Sequence, residues 1–311
     1  MTPAERLAGA PIQTPPAPPP PPSAPAAAAL PIARVHVPPR SWRGDARAIK
    51  IVWRREMIRF GQDRLRIVTS LVQPFLFLFV LGTGLSRIAS AGTHGVNLRT
   101  FVYPGVLCMA VMFTAMFSAA SLVWDREFGF LREMMVAPVR RGSLVVGKCL
   151  GGATVAGAQG AIVIALAGLV DVPYDPGLIA AVFALQLLLA FSVTAFGVMA
   201  AARVSQMQSF MALMQMVIMP MFFLAGSLFP VSGLPRWLEI LNRIDPLTYA
   251  VDPMRRIVFS HLHIAPAARQ ALDPGVTWWG WRVPTLVEAG VVAALGALML
   301  MVAIAAFSRG E

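Results

Sequence analysis

Apolar and polar positions in this chain fall into long blocks rather than a short alternation. Six uncharged runs stand out. The first spans about 67 to 85, between Arg66 and Arg87, and carries a Gln73-Pro74 kink. The second covers about 100 to 124, the third about 149 to 170 and the fourth about 177 to 202. The fifth starts near 205 and stays uncharged until Arg236; the sixth covers about 289 to 307. A helix needs about 20 residues to cross the hydrocarbon core, so each run predicts a transmembrane helix. The fifth run is too long for one span. Pro220, Gly226, Pro230, Gly233 and Pro235 predict breaks that leave a spanning part and a re-entrant or interfacial part. Broken backbone of that kind is tolerated only where protein or water surrounds it.

The polar blocks are patterned too. Residues 1–40 hold half of the 26 prolines, with Ala and little else, and predict a disordered polyproline-rich tail. No apolar stretch follows a basic start there, so it does not read as a secretory signal. In residues 41–66, Arg43, Arg47, Lys50, Arg54, Arg55 and Arg59 alternate with Ile51, Val52, Trp53, Met57 and Ile58. That pattern predicts a basic amphipathic helix at an anionic membrane surface. The expected fold is therefore all-α and polytopic. It has a tail (1–40), an interfacial helix (41–66), a six-helix transmembrane domain (67–308) and a re-entrant outer segment after helix five.

One charged stretch, Asp125 to Arg141, sits between the second and third runs and predicts a loop. Read as a helix, it puts Phe128, Leu131 and Met135 on one face at i, i+3, i+7, with Arg126 and Glu133 elsewhere and Pro138 ending it. Such a piece suits either an interfacial anchor or a dock for another protein.

Composition changes the picture only at the level of class. With 57% apolar and 13% charged residues, the chain belongs with polytopic membrane proteins rather than soluble domains. The net charge of +11 invites a nucleic-acid reading, but its distribution argues for topology. With both termini on one side, that side takes eighteen of the 26 Lys and Arg residues and the other takes eight. The basic side is cytoplasmic by the positive-inside rule, and so is the Asp125–Arg141 loop. Trp237, Trp278, Trp279 and Trp281 suit an interfacial belt on the other side. There, Asn242 to Tyr249 reads as a turn starting a short helix through Phe259, expected to cap the membrane surface. Cys108 and Cys149 fall towards opposite faces, too far apart to bridge.

Catalytic and metal chemistry find little support. Gly142 to Cys149 nearly matches a phosphate-binding loop, but Cys149 replaces the magnesium-holding hydroxyl and no strand precedes it. Lys148 then reads as a snorkelling residue. His261 and His263 lie two apart with nothing spaced to complete a metal site. No nucleophile motif is present, and no cofactor is implied. The predicted spans hold no ionisable residue in their interiors, whereas ion-driven carriers place relays there. That leaves transport by an external motor ahead of a secondary transporter or a non-transporting scaffold. Gln215 is a candidate for facing a pathway, although a hydrogen bond to a neighbouring helix is the simpler role. In the third run, Gly147-Gly151, Gly152-Ala156-Gly160 and Ala153-Gly157-Ala161 form small-residue faces suited to close helix packing.

Several of these residues together resemble the type-2 membrane subunits of ATP-binding-cassette exporters, in the branch of drug-resistance and nodulation lipo-oligosaccharide export permeases. The resemblance rests on Asp125-Arg126-Glu127, Gly129, Leu131, Met134-Met135, Ala137-Pro138, Arg140-Arg141 and Gly147-Lys148. The outer Asp245-Pro-Leu-Thr-Tyr249 and the Gln159-Gly160 pair add to it, and it covers about residues 45 to 308. It implies that Asp125, Arg126, Glu127, Phe128, Gly129, Leu131, Met135 and Pro138 belong to a coupling helix received by a groove in a separate ATPase subunit. Two permease copies, or two related permeases, would pair with two ATPases in a bacterial inner membrane. The interfacial helix would also contact the ATPase, and the cargo would be an amphipathic compound. Phe130 and Arg132 depart from the residues common in that family, Thr or Ser and Glu, which leaves open which ATPase is recognised.

Overall fold

The computed structural model describes residues 41–84, 97–129, 140–229, 235–262, 264–265, 269, 272–278 and 280–309. The predicted tail lies outside them. The described residues form nine α-helices. These are α1 (Trp42–Gln62), α2 (Arg64–Gly84), α3 (Leu98–Glu127), α4 (Arg141–Ala165), α5 (Pro176–Ala201), α6 (Met207–Leu224), α7 (Arg236–Ile244), α8 (Thr248–Ser260) and α9 (Thr285–Arg309). Among the described residues the strands are one antiparallel pair, β1 (Thr277–Trp278) and β2 (Trp281–Arg282). Six helices, α2 to α6 and α9, are long and apolar enough to cross a membrane.

Helix starts follow local chemistry. Ser41 Oγ accepts from the Gly44 amide, Asp63 from Arg66, Asn97 from Arg99, and Asp175 from Gly177 and Leu178, with Pro176 at the first helical position. Pro74 lacks the amide that would bond back along α2, and the helix continues through a π-type turn at Leu76–Leu81.

The long helices differ in how much they bury. The most apolar window of α3 is 89% buried, against 17% for α2 and α9 and 22% for α6. Apolar on every side, α3 is the axis of the bundle. The peripheral helices bury one stripe and present apolar faces outward. The end of the bundle carrying Glu127, Arg141 and Ala201 is called basal below, and the opposite end distal.

The predicted small-residue faces of the third run are used as close contacts. A side chain on Gly151 would overlap Glu56 of α1, one on Gly152 would overlap Thr194 of α5, and one on Gly160 would overlap Gln186 of α5. Thus α4 is wedged between α1 and α5, its glycines receiving the side chains of Glu56, Thr194 and Gln186.

Two expectations are corrected. The Asp245–Tyr249 turn is not a surface cap. Pro246 and Leu247 border an apolar cavity of about 120 Å³ together with Met112 of α3, Leu189 of α5 and Val292 of α9. Leu189 lies thirteen residues into α5, roughly 20 Å from its distal start at 1.5 Å per residue. Hence α7 and α8 form a hairpin inserted into the distal end, with the turn at its tip. Asp245 accepts from the Leu247 amide at 3.0 Å, and Tyr249 Oη donates to the Arg243 carbonyl at 2.8 Å, closing the turn. Leu247, Val251, Met254 and Phe259 are fully buried. Arg255 is buried as well. Its guanidinium lies 4.5 Å above the Phe101 ring and donates to the Gly226 carbonyl, pinning the hairpin to α3 and to the end of α6.

The second correction concerns charge. Helices α3, α4 and α9 extend past the uncharged runs and carry Asp125, Lys148 and Glu288 into buried positions. They fit because each is paired. Glu288 lies 3.5 Å from Arg256, which also holds Asp252 at 2.6 Å.

Candidate functional site

The predicted site residues converge on the basal end, where α1 lies against α4. Ala48, Val52 and Glu56 recur at four-residue spacing and turn one stripe of α1 inward. Gly147 leaves room for Ile49 and Val52, and Gly151 for Trp53 and Glu56. Trp53 Nε1 donates to Thr154 Oγ1 at 3.0 Å.

A five-charge cluster of Arg55, Glu56, Arg59, Asp125 and Lys148 fills the junction of α1, α3 and α4. Lys148 Nζ lies 2.7 Å from Glu56 Oε1 and 3.1 Å from Asp125 Oδ2, and Arg55 Nη2 reaches the same Asp125 oxygen at 2.6 Å. Lys148, Glu56 and Asp125 are each no more than 5% exposed, so Lys148 is an internal tie rather than a snorkelling residue. Two buried carboxylates are balanced by one buried ammonium and two half-exposed guanidiniums, Arg55 and, at 3.8 Å from Asp125, Arg59. Burial of any one of them alone would be costly, so the pairing specifies how α1 seats on the bundle.

Neighbouring arginines fasten the same end. Arg126 donates to the carbonyls of Ala202 and Val204 at 3.1 and 3.3 Å, satisfying the open end of α5, and stacks 6.0 Å from Phe307 of α9. Arg141 donates to the Phe307 carbonyl at 3.1 Å. The Arg140 amide donates to Asp45 Oδ1 at 3.1 Å, and its side chain pairs with the other carboxylate oxygen at 3.3 Å.

The connection between α3 and α4 is therefore anchored at both ends. Its start is held through Asp125 and Arg126, and its finish through Arg140 and Arg141. Of the predicted coupling residues, Asp125 and Arg126 are turned into this chain. Glu127 and Phe128 are exposed, Phe128 by 72%. Gly129 takes φ +81°, with nothing within 4 Å of where a side chain would begin. Leu131, Met135 and Pro138 lie outside the described residues. The helix that the spacing predicts from Asp125 does not start there, because Asp125 to Glu127 are the last turn of α3.

Gln215 lies on the exposed face of α6, beside Met216 at 71% exposure and opposite the buried Met214 and Ile218. No neighbouring helix bonds it among the described residues. Glu56 was not singled out by sequence. The signal was present, as it is the one acidic residue on the inward stripe of a basic helix.

Residues 47–259 match the family described as ABC-2 type transporter. The chain belongs to the ABC-2 type transporter family. With six helices able to cross a membrane, it is a multi-pass membrane protein of a transport-permease family. It is 27% identical over 219 residues to a protein of Cyanophora paradoxa named as the transport permease ycf38, covering 68% of this chain and 73% of that one. It is 27% identical over 245 residues to nodulation protein J of Rhizobium leguminosarum bv. viciae, covering 78% and 92%. It is 25% identical over 203 residues to a Mycobacterium tuberculosis protein named as the doxorubicin resistance ABC transporter permease DrrC, covering 65% and 73%. The matched segment begins within α1 and ends at the last turn of α8, so it contains both the charged basal junction and the inserted hairpin.

Proposed function

We propose that this chain is the membrane-spanning permease subunit of an exporter, driven by ATP hydrolysis in a separate ATPase subunit. One observation carries the reading. The α3–α4 connection is tied at both ends to α1, α5 and α9, while Glu127 and Phe128 at its start remain exposed. A motor that grips this connection displaces α1 together with four membrane helices, α3, α4, α5 and α9. Hydrolysis belongs to the partner; this chain contributes position and a path.

The basal end is cytoplasmic in this reading, with both termini inside a bacterial inner membrane. The eighteen-to-eight division of Lys and Arg supports that orientation. A second copy, or a paralogue, covers part of the apolar faces of α2 and α6, placing Gln215 on a path between subunits. Two ATPases complete the assembly. The cargo is amphipathic, a class consistent with relatives named for doxorubicin resistance and nodulation. A secondary transporter is disfavoured because Asp125, Lys148 and Glu288, the buried carboxylates and ammonium of the spanning helices, sit near their ends and are engaged in pairs.

Co-purification tests the proposal. The full chain, expressed with an ATPase encoded beside it, is expected to retain that ATPase through affinity purification and to stimulate its hydrolysis. Glu127→Ala combined with Phe128→Ala is expected to abolish the stimulation while leaving the helices folded. Unchanged stimulation would sink the proposal.

A further inference from the structure

A cleft of about 510 Å³ lies between α2 and α3, within the size range of small-molecule pockets. No role assigned above uses it. One mouth is bordered by Asp63, Arg66 and Trp124, and the far end by Gln73, Pro74 and Thr114, with Phe113 and Phe117 along the wall. Arg66 opens α2 beside Phe117, whereas Pro74 lies eight residues further along, about 12 Å deeper at 1.5 Å per residue. The cleft is thus polar at its basal mouth and mainly apolar beyond.

Two side chains in it lack partners. The Arg66 guanidinium lies 5.6 Å above the Phe117 ring, and its Nη2 is buried with no hydrogen-bond acceptor among the described residues. Thr114 is 4% exposed, borders the cleft, and its hydroxyl is likewise without a partner. A buried polar group left unpaired is costly, and more so when it is charged. A phosphate supplies what a guanidinium fork lacks, two acceptor oxygens and negative charge. Basic pockets between membrane helices on the cytoplasmic side take anionic headgroup chemistry.

We propose that this cleft holds one phospholipid of the inner leaflet, its phosphate on Arg66 and one acyl chain running along Phe117 and Phe113 towards Pro74. The choice of leaflet rests on the orientation proposed above. The π-type turn Leu76–Leu81 begins two residues beyond Pro74, which borders the far end of the cleft.

Photolabelling of the full chain in nanodiscs tests this without any ATPase, so its outcome is independent of the exporter reading. The probe is a phosphatidylethanolamine with a diazirine on one acyl chain, and adducts are mapped by peptide mass spectrometry. Labelling is expected to concentrate on the peptides carrying Gln73, Phe113 and Thr114. It should fall about tenfold in Arg66→Gln and in Thr114→Leu, which fills the cleft, and persist in Arg66→Lys. A diacylglycerol probe lacking phosphate should label these peptides no better than the phosphatidylethanolamine probe labels them in Arg66→Gln. Size-exclusion profiles matching the parent confirm that the variants are folded. Equal labelling by the phosphate-free probe, or adducts spread evenly over α6 and α9, would overturn the proposal. So would displacement of the label by excess inorganic phosphate, which would mark a site for a soluble anion. Cross-linking of Arg66→Cys to a second copy would assign the cleft to subunit contact instead.

Discussion

Replacing Lys148 by Met isolates the basal charge cluster. The Met side chain is similar in length and apolar, so it fits the same space without a new polar group. Asp125 keeps Arg55 at 2.6 Å, but Glu56, only 4% exposed along its side chain, loses its ion pair. Breaking a buried pair from one side costs about 3–5 kcal/mol, because the remaining charge is left uncompensated. At 2–4 °C per kcal/mol for a domain of this order of size, the unfolding midpoint should fall by roughly 6–20 °C. The assay is tryptophan fluorescence on heating of the purified full chain in detergent, with hydrogen exchange of residues 42–62 as a local readout. Adding Glu56→Gln removes the stranded carboxylate and should restore half of the loss or more. The pair should then deviate from additivity by about 2 kcal/mol. A midpoint within about 2 °C of the parent for Lys148→Met, or strictly additive effects, would refute the claim that this pairing seats α1.

Three further outcomes follow from other parts of the molecule. Gly129→Ala places a side chain at φ +81°, a strain of about 1–2 kcal/mol with no steric overlap; ATPase stimulation should fall while the unfolding midpoint stays within about 2 °C, and full stimulation would mean that this backbone conformation is not needed. Burial, aided by the charge of Asp252, pushes Asp273 in the distal loop up to about 6. The stability it contributes is complete below the ordinary carboxylate range and is lost as pH rises through about 6, so the 273–283 loop should be better protected from hydrogen exchange at pH 5 than at pH 8, after correction for intrinsic rates. Asp273→Asn should flatten that difference. Arg255→Met removes the contact with Phe101 and strands the Gly226 carbonyl, and should lower stability by roughly 2–4 kcal/mol in thermal unfolding.

The six spanning helices were legible because a run of uncharged residues long enough to cross a bilayer has few other uses. Their ends were not. Asp125, Lys148 and Glu288 read as boundaries, since a single charge in lipid is costly, yet each is tolerated inside a helix by a partner distant in sequence. Lys148 and Glu56 are 92 positions apart, and no local pattern announces such a pairing. The inserted hairpin was visible as broken helix after the fifth span, but the depth of its tip depends on Leu247 sharing a cavity wall with Met112 and Leu189, which is set by tertiary packing. The predicted coupling segment was legible as a short patterned stretch. Its first two residues carry a different role because a charge adjacent to a helix end is drawn to whatever opposite charge or open carbonyl lies beside it.

Gly147 and Gly151 bring the backbone of α4 directly against α1. Where long mobile side chains separate two helices, a small push is dissipated by rotamers changing; here Val52 and Glu56 press against glycines, and Glu56 is held by Lys148. Any rotation imposed on α1 from the aqueous side therefore bears on the α4 backbone and on a fixed ion pair, and movement enters the membrane with little slack.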